Sequence, residues 1–314
     1  MTKDNHTMVT EFILLGFTEL HNIKSLLLSL LLLIYVGTIL GNLLIVTLVA
    51  ITRQLWSPMY FFLSHLSLCD ILISTNVVPK TLQFLVTERC HISVSSCYTQ
   101  LYFFGAFVAT ECSLLSVMSY DRYLAICDPL HYSSTMKRSL PRYLATICWL
   151  VGFFTSMIIE ILITLLDFCG PNIIDHFFCD LTLLLELSCS DTKLVDICTT
   201  ITVFIIGISQ LLFVIVSYIC IFTSILRISS ITGRQKIFST CSSHLAVVST
   251  YYGTLIVLYV APTRGQLKTL NKVLSLLNTV ITPLFNPIIY SLRNKEIKLA
   301  LSKIILKMSP IKGN

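Results

Sequence analysis

Charge is what this chain has least of. Asp, Glu, Lys and Arg make up 12% of its 314 residues, against about 25% in soluble globular domains. With 55% hydrophobic residues and a mean hydropathy of +0.83, that shortage excludes a water-soluble fold and leaves little chain for soluble domains. Residues 1–24 hold no short apolar run ending in small residues. No cleaved signal peptide is therefore expected, and the first apolar segment should direct its own insertion. Twelve cysteines contain no Cys-X-X-Cys, and the seven histidines are scattered, which argues against a structural zinc site. No Ser, His and Asp grouping suggests a catalytic set, so an enzyme is not expected. The formal charge of +6 gives no ground for a nucleic-acid partner; its distribution along the chain matters more.

What the chain does have is apolar segments of membrane-spanning length, about 20 residues each. Seven candidates cover 25–51, 59–78, 93–123, 140–162, 195–226, 237–260 and 269–292. The first, fifth and sixth are the clearest. The second and seventh are interrupted by His65, Asp70, Pro283, Asn286 and Pro287. The third is long enough to tilt or protrude. Seven spans do not halve into repeats, which disfavours a transporter or channel, the alternative class.

Seven spans place the two ends on opposite sides. One side carries fourteen Lys and Arg residues against Asp121, Asp128 and Glu296. The other carries eight against eleven acids. By the positive-inside rule the C-terminus is cytoplasmic and the N-terminus extracellular, as in a multi-pass protein of the plasma membrane. Asn5-His6-Thr7 then falls outside, as a glycosylation acceptor must. The longest connection, residues 163–194, is also outside and carries Cys169, Cys179 and Cys189; with Cys97 they allow two bridges. Spacing alone leaves the pairing open; the pairing chosen is Cys97–Cys179, stapling the loop over the bundle, with Cys169–Cys189 inside it. The cytoplasmic loops, 52–58, 124–139 and 227–236, are too short for a kinase, cyclase or nucleotide-binding domain. Residues 294–308 place Ile297, Ala300, Leu301, Ile304, Ile305 and Met308 at helical spacing with Lys298, Lys303 and Lys307 around them. This is the pattern of a short amphipathic helix on anionic membrane lipid.

Asp121-Arg122-Tyr123 closes the third span. Twenty-five residues separate Cys97 from Arg122, roughly 38 Å on a helix, so the two mark opposite faces of one bilayer. A snorkelling arginine is one reading. The other is a switch in which Asp121 holds Arg122 in a local ion pair until its five donors are released to a partner. Asp70 and Glu111 are the carboxylates deep in the membrane, at matching depth. Two facing carboxylates cannot both stay charged without help, so they share a proton or hold a cation. Sodium would find oxygen ligands on Asp70, Glu111 and Ser74 or Asn286. Asn286-Pro287-Ile288-Ile289-Tyr290 should kink the seventh span, with Asn286 satisfying the backbone group that Pro287 frees. His244 should lie near Arg122.

Several stretches resemble rhodopsin-type (class A) G-protein-coupled receptors and, within that class, the olfactory receptors. They are Pro58-Met59-Tyr60-Phe61-Phe62-Leu63-Ser64, the run from Met118 to Cys127, Cys179-Asp180, Ser188-Cys189-Ser190-Asp191, the run from Lys236 to Leu245, and Pro287-Ile288-Ile289-Tyr290-Ser291-Leu292-Arg293-Asn294. Ser119 and Asp128 depart from the usual pattern, and Asp128 puts a negative charge where a G protein would dock. The resemblance implies a small volatile odorant bound among the third, fifth, sixth and seventh helices, with Phe104, Gly105, Val108, Ala109, Cys112, Thr202, Val203, Ile206, Leu255, Tyr259 and Thr279 around it. It also implies switch positions at Asp121, Arg122, Tyr123, Tyr218, His244, Tyr252, Asn286, Pro287 and Tyr290. The partner it implies is a heterotrimeric G protein of the stimulatory type that raises cyclic AMP. The pocket residues are apolar with a few hydroxyls, as small-ligand pockets tend to be.

The expected fold is thus an all-α membrane protein, a seven-transmembrane helix bundle with a short amphipathic C-terminal helix. Residues 1–24 form an extracellular segment, 25–292 the bundle and 293–314 a cytoplasmic tail. No cofactor is expected beyond a structural Na+ at Asp70 and Glu111.

Overall fold

The computed structural model describes residues 9–17, 23–87, 90–137, 139–169, 171–260 and 268–308. Asn5 and its acceptor triplet lie outside them. Seven long rods form the bundle: α1 (Lys24–Ile51), α2 (Pro58–Thr87), α3 (Val94–Cys127), α5 (Ser139–Thr164), the joined α7 (Lys193–Thr202) and α8 (Ser209–Leu226), α9 (Ile231–Val260), and the joined α10 (Lys268–Leu276) and α11 (Thr282–Arg293). Shorter helices are α4 (Pro129–Thr135), α6 (Leu181–Glu186) and the C-terminal α12 (Lys295–Met308). All-α architecture is what long apolar runs dictate, because a helix satisfies its own backbone in lipid.

Among the described residues six rods are long and apolar enough to cross a membrane by themselves. The exception is α9, the sixth rod, which the sequence ranks among the clearest. Its first half holds Gly233, Arg234, Gln235, Ser242, Ser243 and His244, so its apolarity is confined to the later turns. It also starts at Ile231 rather than 237, which shortens the connection from α8 to a few residues.

α3 is the central post. Gly152 of α5 lets the two rods touch, since a Cβ there would run into Thr110 and the Ala106 carbonyl. One apolar cluster fills the Arg122 half of the bundle, with Leu48, Leu63, Leu66, Leu115, Met118, Val247 and Tyr290. Another fills the Cys97 end, with Phe12, Leu14, Val78, Phe84, Ile163 and Leu184.

The Cys97 end also carries a small sheet that the sequence does not announce. Strand β1 (Glu11–Leu14) lies between β2 (Cys90–Ser93) and β3 (Ile173–Ile174), antiparallel to the first and parallel to the second. Phe12 and Leu14 are fully buried, so the alternation seats β1 on the bundle. At the other end α12 buries Ile297 and Ala300. Asn294 caps it, accepting from Glu296 N at 3.0 Å and Ile297 N at 3.3 Å, and also from Tyr60 Oη at 2.9 Å.

Candidate functional site

The loop before α7 folds into a flap over the Cys97 end. Disulfides Cys97–Cys179 and Cys169–Cys189 hold it, the pairing chosen from the sequence. Gln100 of α3 reinforces the first bridge by accepting from Cys179 N at 3.0 Å. The underside of the flap is aromatic: His176, Phe177 and Phe178 are buried, and Phe178 meets Phe104 of α3 at 5.1 Å between ring centroids. Lys272 of α10 pins the flap from the side, bonded to Asp175 Oδ1 at 2.5 Å and to the Gly16 carbonyl at 2.8 Å. Burial and the nearby Lys272 charge push the His176 imidazole down to about 3.

Below the flap, the candidate ligand residues divide. Cys112 and Ile206 are buried in one apolar cluster, with Ala109 and Leu255 packed against it. Val108 offers its carbonyl to Tyr251 Oη at 3.0 Å, and Cys112 Sγ donates to the same oxygen at 3.4 Å. Gly105 faces elsewhere: a Cβ there would stand 2.9 Å from Ser156 Oγ of α5. Thr279 is buried with its hydroxyl returned to the Ser275 carbonyl at 2.8 Å. Thr202 and Val203 stand where α7 gives way to a π-helical turn, Val203–Ile208. A second π turn, Leu277–Ile281, holds Thr279. Such turns cluster at functional sites, and both carry candidate ligand positions. Tyr259 lies on α9 with its side chain outside the described residues. Sequence reasoning singled out Tyr252 and missed Tyr251, the one that bonds to α3; the only available signal was that two tyrosines adjoin.

Asp70 and Glu111 do meet. Asn286 Nδ2 lies 3.0 Å from each Asp70 oxygen and within hydrogen-bonding reach of Glu111. The expectation that Asn286 serves the helix backbone is therefore corrected. Pro287 frees the Pro283 carbonyl, and Asn42 of α1 takes it, at 2.9 Å. Glu111 Oε1 and Ser74 Oγ are buried without a partner. An all-oxygen set of this kind fits a hard cation such as sodium, or a proton shared between the carboxylates.

At the far end of α3, Tyr218 Oη and His244 Nδ1 are 2.6 Å apart. The Arg122 guanidinium is close enough for its charge to act on Tyr218, His244 and Tyr290, and its Nε is buried without a partner. The expected Asp121–Arg122 ion pair is not among the salt bridges of the described residues. Instead Asp121 Oδ1 accepts from Tyr132 Oη of α4 at 2.8 Å, a partner contributed by the following loop. Tyr123 packs with Ile221, Ile225 and Cys241.

A helical bundle with an aromatic flap at one end and a half-buried arginine without a carboxylate partner among the described residues at the other has the build of a multi-pass transmembrane receptor. A model of the olfactory receptor family matches residues 31–308. The chain is 47% identical to Olfactory receptor 11L1 of Homo sapiens over 309 residues, covering 97% of this chain and 95% of that one. It is 48% identical to Olfactory receptor 10A7 of Homo sapiens over 305 residues (97% and 96%) and 43% identical to Olfactory receptor 5P55 of Mus musculus over 310 residues (99% and 100%). The chain belongs to the olfactory receptor family, a family of seven-helix receptors rather than enzymes.

Proposed function

We propose that the protein binds a small, mostly apolar odorant beneath the flap and activates a stimulatory heterotrimeric G protein that raises cyclic AMP. The observation that carries this reading is the bond from Tyr251 Oη to the Val108 carbonyl. It couples α3, which carries five of the eleven candidate ligand residues, to α9, whose other half holds His244 beside Tyr218. A ligand that displaces Val108 or Cys112 changes the constraint on α9, and α9 moves relative to α8 near Arg122. Two packed arrangements of α9, differently favoured by ligand, are what such coupling requires.

The Arg122 end faces the cytoplasm, in keeping with its fourteen basic residues, and the flap faces outward. Asn5 is the glycosylation acceptor on the outer side. Lys298 and Lys303 of α12 meet anionic lipid on the inner leaflet, while Asp70 and Glu111 hold a sodium ion or share one proton between the helices.

The test is a cyclic-AMP assay in cells carrying the receptor, with and without a stimulatory α subunit, against a panel of odorants. A response that requires both odorant and the α subunit is expected. Odorant-gated current without any G protein would replace the receptor reading by a channel.

A further inference from the structure

The seam between α8 and α9 opens on its outer, membrane-facing side into a trough of about 530 Å3. One wall runs from Leu211 to Thr223 on α8, the other from Leu245 to Ile256 on α9, so it is roughly 16–18 Å long at 1.5 Å per residue. Ile219, Phe222 and Ile256 on its rim are 58%, 53% and 48% exposed, and at this depth the exposed face meets hydrocarbon. No lining residue is charged. Gly253 leaves room on the α9 wall: a Cβ added there would meet nothing within 4 Å.

Ser249 breaks this apolar wall. It lies near the middle of α9, faces outward, and its hydroxyl has no partner among the described residues. Two neighbouring hydroxyls do return to their own helices, Thr250 to the Ala246 carbonyl at 3.0 Å and Ser217 to the Phe213 carbonyl at 2.8 Å. Ser249 does not. A hydroxyl without a partner in hydrocarbon is costly, so this position is complete only when something from the bilayer bonds to it.

We infer that the trough binds a neutral, elongated aliphatic molecule with one hydroxyl group, a medium-chain alcohol dissolved in the membrane, hydrogen-bonded to Ser249. The length selects an extended chain. The absence of lining charge leaves nothing to hold a charged headgroup in the trough, and the acyl tail of a phospholipid has no hydroxyl to pair with Ser249. Tyr218 and Tyr252 form part of the floor, so the occupant bears on α9 next to the Tyr218–His244 contact. The site is separate from the candidate odorant residues and stands whether or not these bind odorant.

The test uses the full-length protein in phosphatidylcholine nanodiscs, photolabelled in parallel with a diazirine-bearing decanol and a diazirine-bearing decane. Labelling by the alcohol is expected to concentrate on the two trough walls and to be competed by unlabelled decanol. Ser249→Ala should weaken that competition roughly three- to tenfold, as loss of one neutral hydrogen bond does, and leave decane labelling unchanged. Gly253→Leu should remove both labels, while Leu150→Trp on the exposed face of α5 should alter neither. Thermal unfolding checks that the variants fold; if Gly253→Leu does not, Ile219→Trp narrows the trough from its rim. Even labelling of all lipid-facing helices, labelling not competed by decanol, or an unaltered alcohol affinity in Ser249→Ala would overturn the inference.

Discussion

Asn42 Nδ2 donates to the Pro283 carbonyl at 2.9 Å, the group that Pro287 leaves without its helical partner. The neighbouring residue completes the clamp: a Cβ on Gly41 would stand 3.1 Å from the Pro287 ring, so glycine lets α1 approach the break in α11. Asn42 is fully buried and also donates to Thr38 at 3.0 Å. Asn42→Ala leaves a carbonyl unpaired in the bundle and should cost about 1–3 kcal/mol. A lowered midpoint of thermal unfolding in detergent would show it. A midpoint equal to the parent would mean that the kink needs no help from α1.

Tyr132 and Arg122 compete for Asp121. Tyr132 holds it in this structure, leaving Arg122 without a carboxylate partner among the described residues. Tyr132→Phe hands Asp121 to Arg122 and should lower basal and ligand-driven cyclic AMP severalfold at equal surface expression. Asp121→Asn removes the charge with which Arg122 could pair once Tyr132 lets go, and should raise the basal level. Both variants moving in the same direction would sink the competition.

The flap should carry a pH dependence of its own. His176 titrates near 6.5 in an unfolded chain and near 3 when packed between Phe177 and Phe178 beside Lys272, with Asp175 opposing the shift. Between those values the unfolded state binds a proton that the folded state refuses. Stability therefore falls as pH drops from 6.5 toward 3, by about 1.4 kcal/mol per unit for this group. His176→Phe should flatten that part of the profile in detergent melts. An unchanged slope would assign it to another group.

The bundle was legible because lipid forces long apolar helices, and because Cys97, Asp121 and Arg122 mark the two ends of one rod. The Asp70–Glu111 meeting was legible too, since both depths could be counted from helix ends. Four features were not. The π turns at Val203–Ile208 and Leu277–Ile281 are too short for a change of period to show among all-apolar residues. The strand Glu11–Leu14 forms only because partners far away in the chain, Cys90–Ser93 and Ile173–Ile174, supply its hydrogen bonds. Asn42 and Pro283 are 241 residues apart, and nothing local in either names the other. Tyr132 reaches Asp121 only because α4 turns back beneath α3, a tertiary fact with no periodic trace.

Tyr251 and Tyr252 are adjacent and should nevertheless behave differently. Tyr251 is 1% exposed and its hydroxyl bonds to α3. Tyr252 has a buried hydroxyl without a partner and a ring that packs in the apolar cluster with Cys112. Tyr251→Phe removes one hydrogen bond and keeps the ring, so it should loosen α9 from α3 and shift the odorant concentration for half-response roughly two- to tenfold, the worth of about 1 kcal/mol. Tyr252→Phe removes a hydroxyl that stands near Ser116 and Cys112 of α3 without a hydrogen bond of good geometry, and should change that response less than Tyr251→Phe does. Tyr252→Ala deletes the ring, opens a cavity between α3 and α9, and should reduce the maximal signal at normal surface expression. The order of effects is the test: a Tyr252→Phe variant as impaired as Tyr251→Phe would place the coupling on the wrong tyrosine.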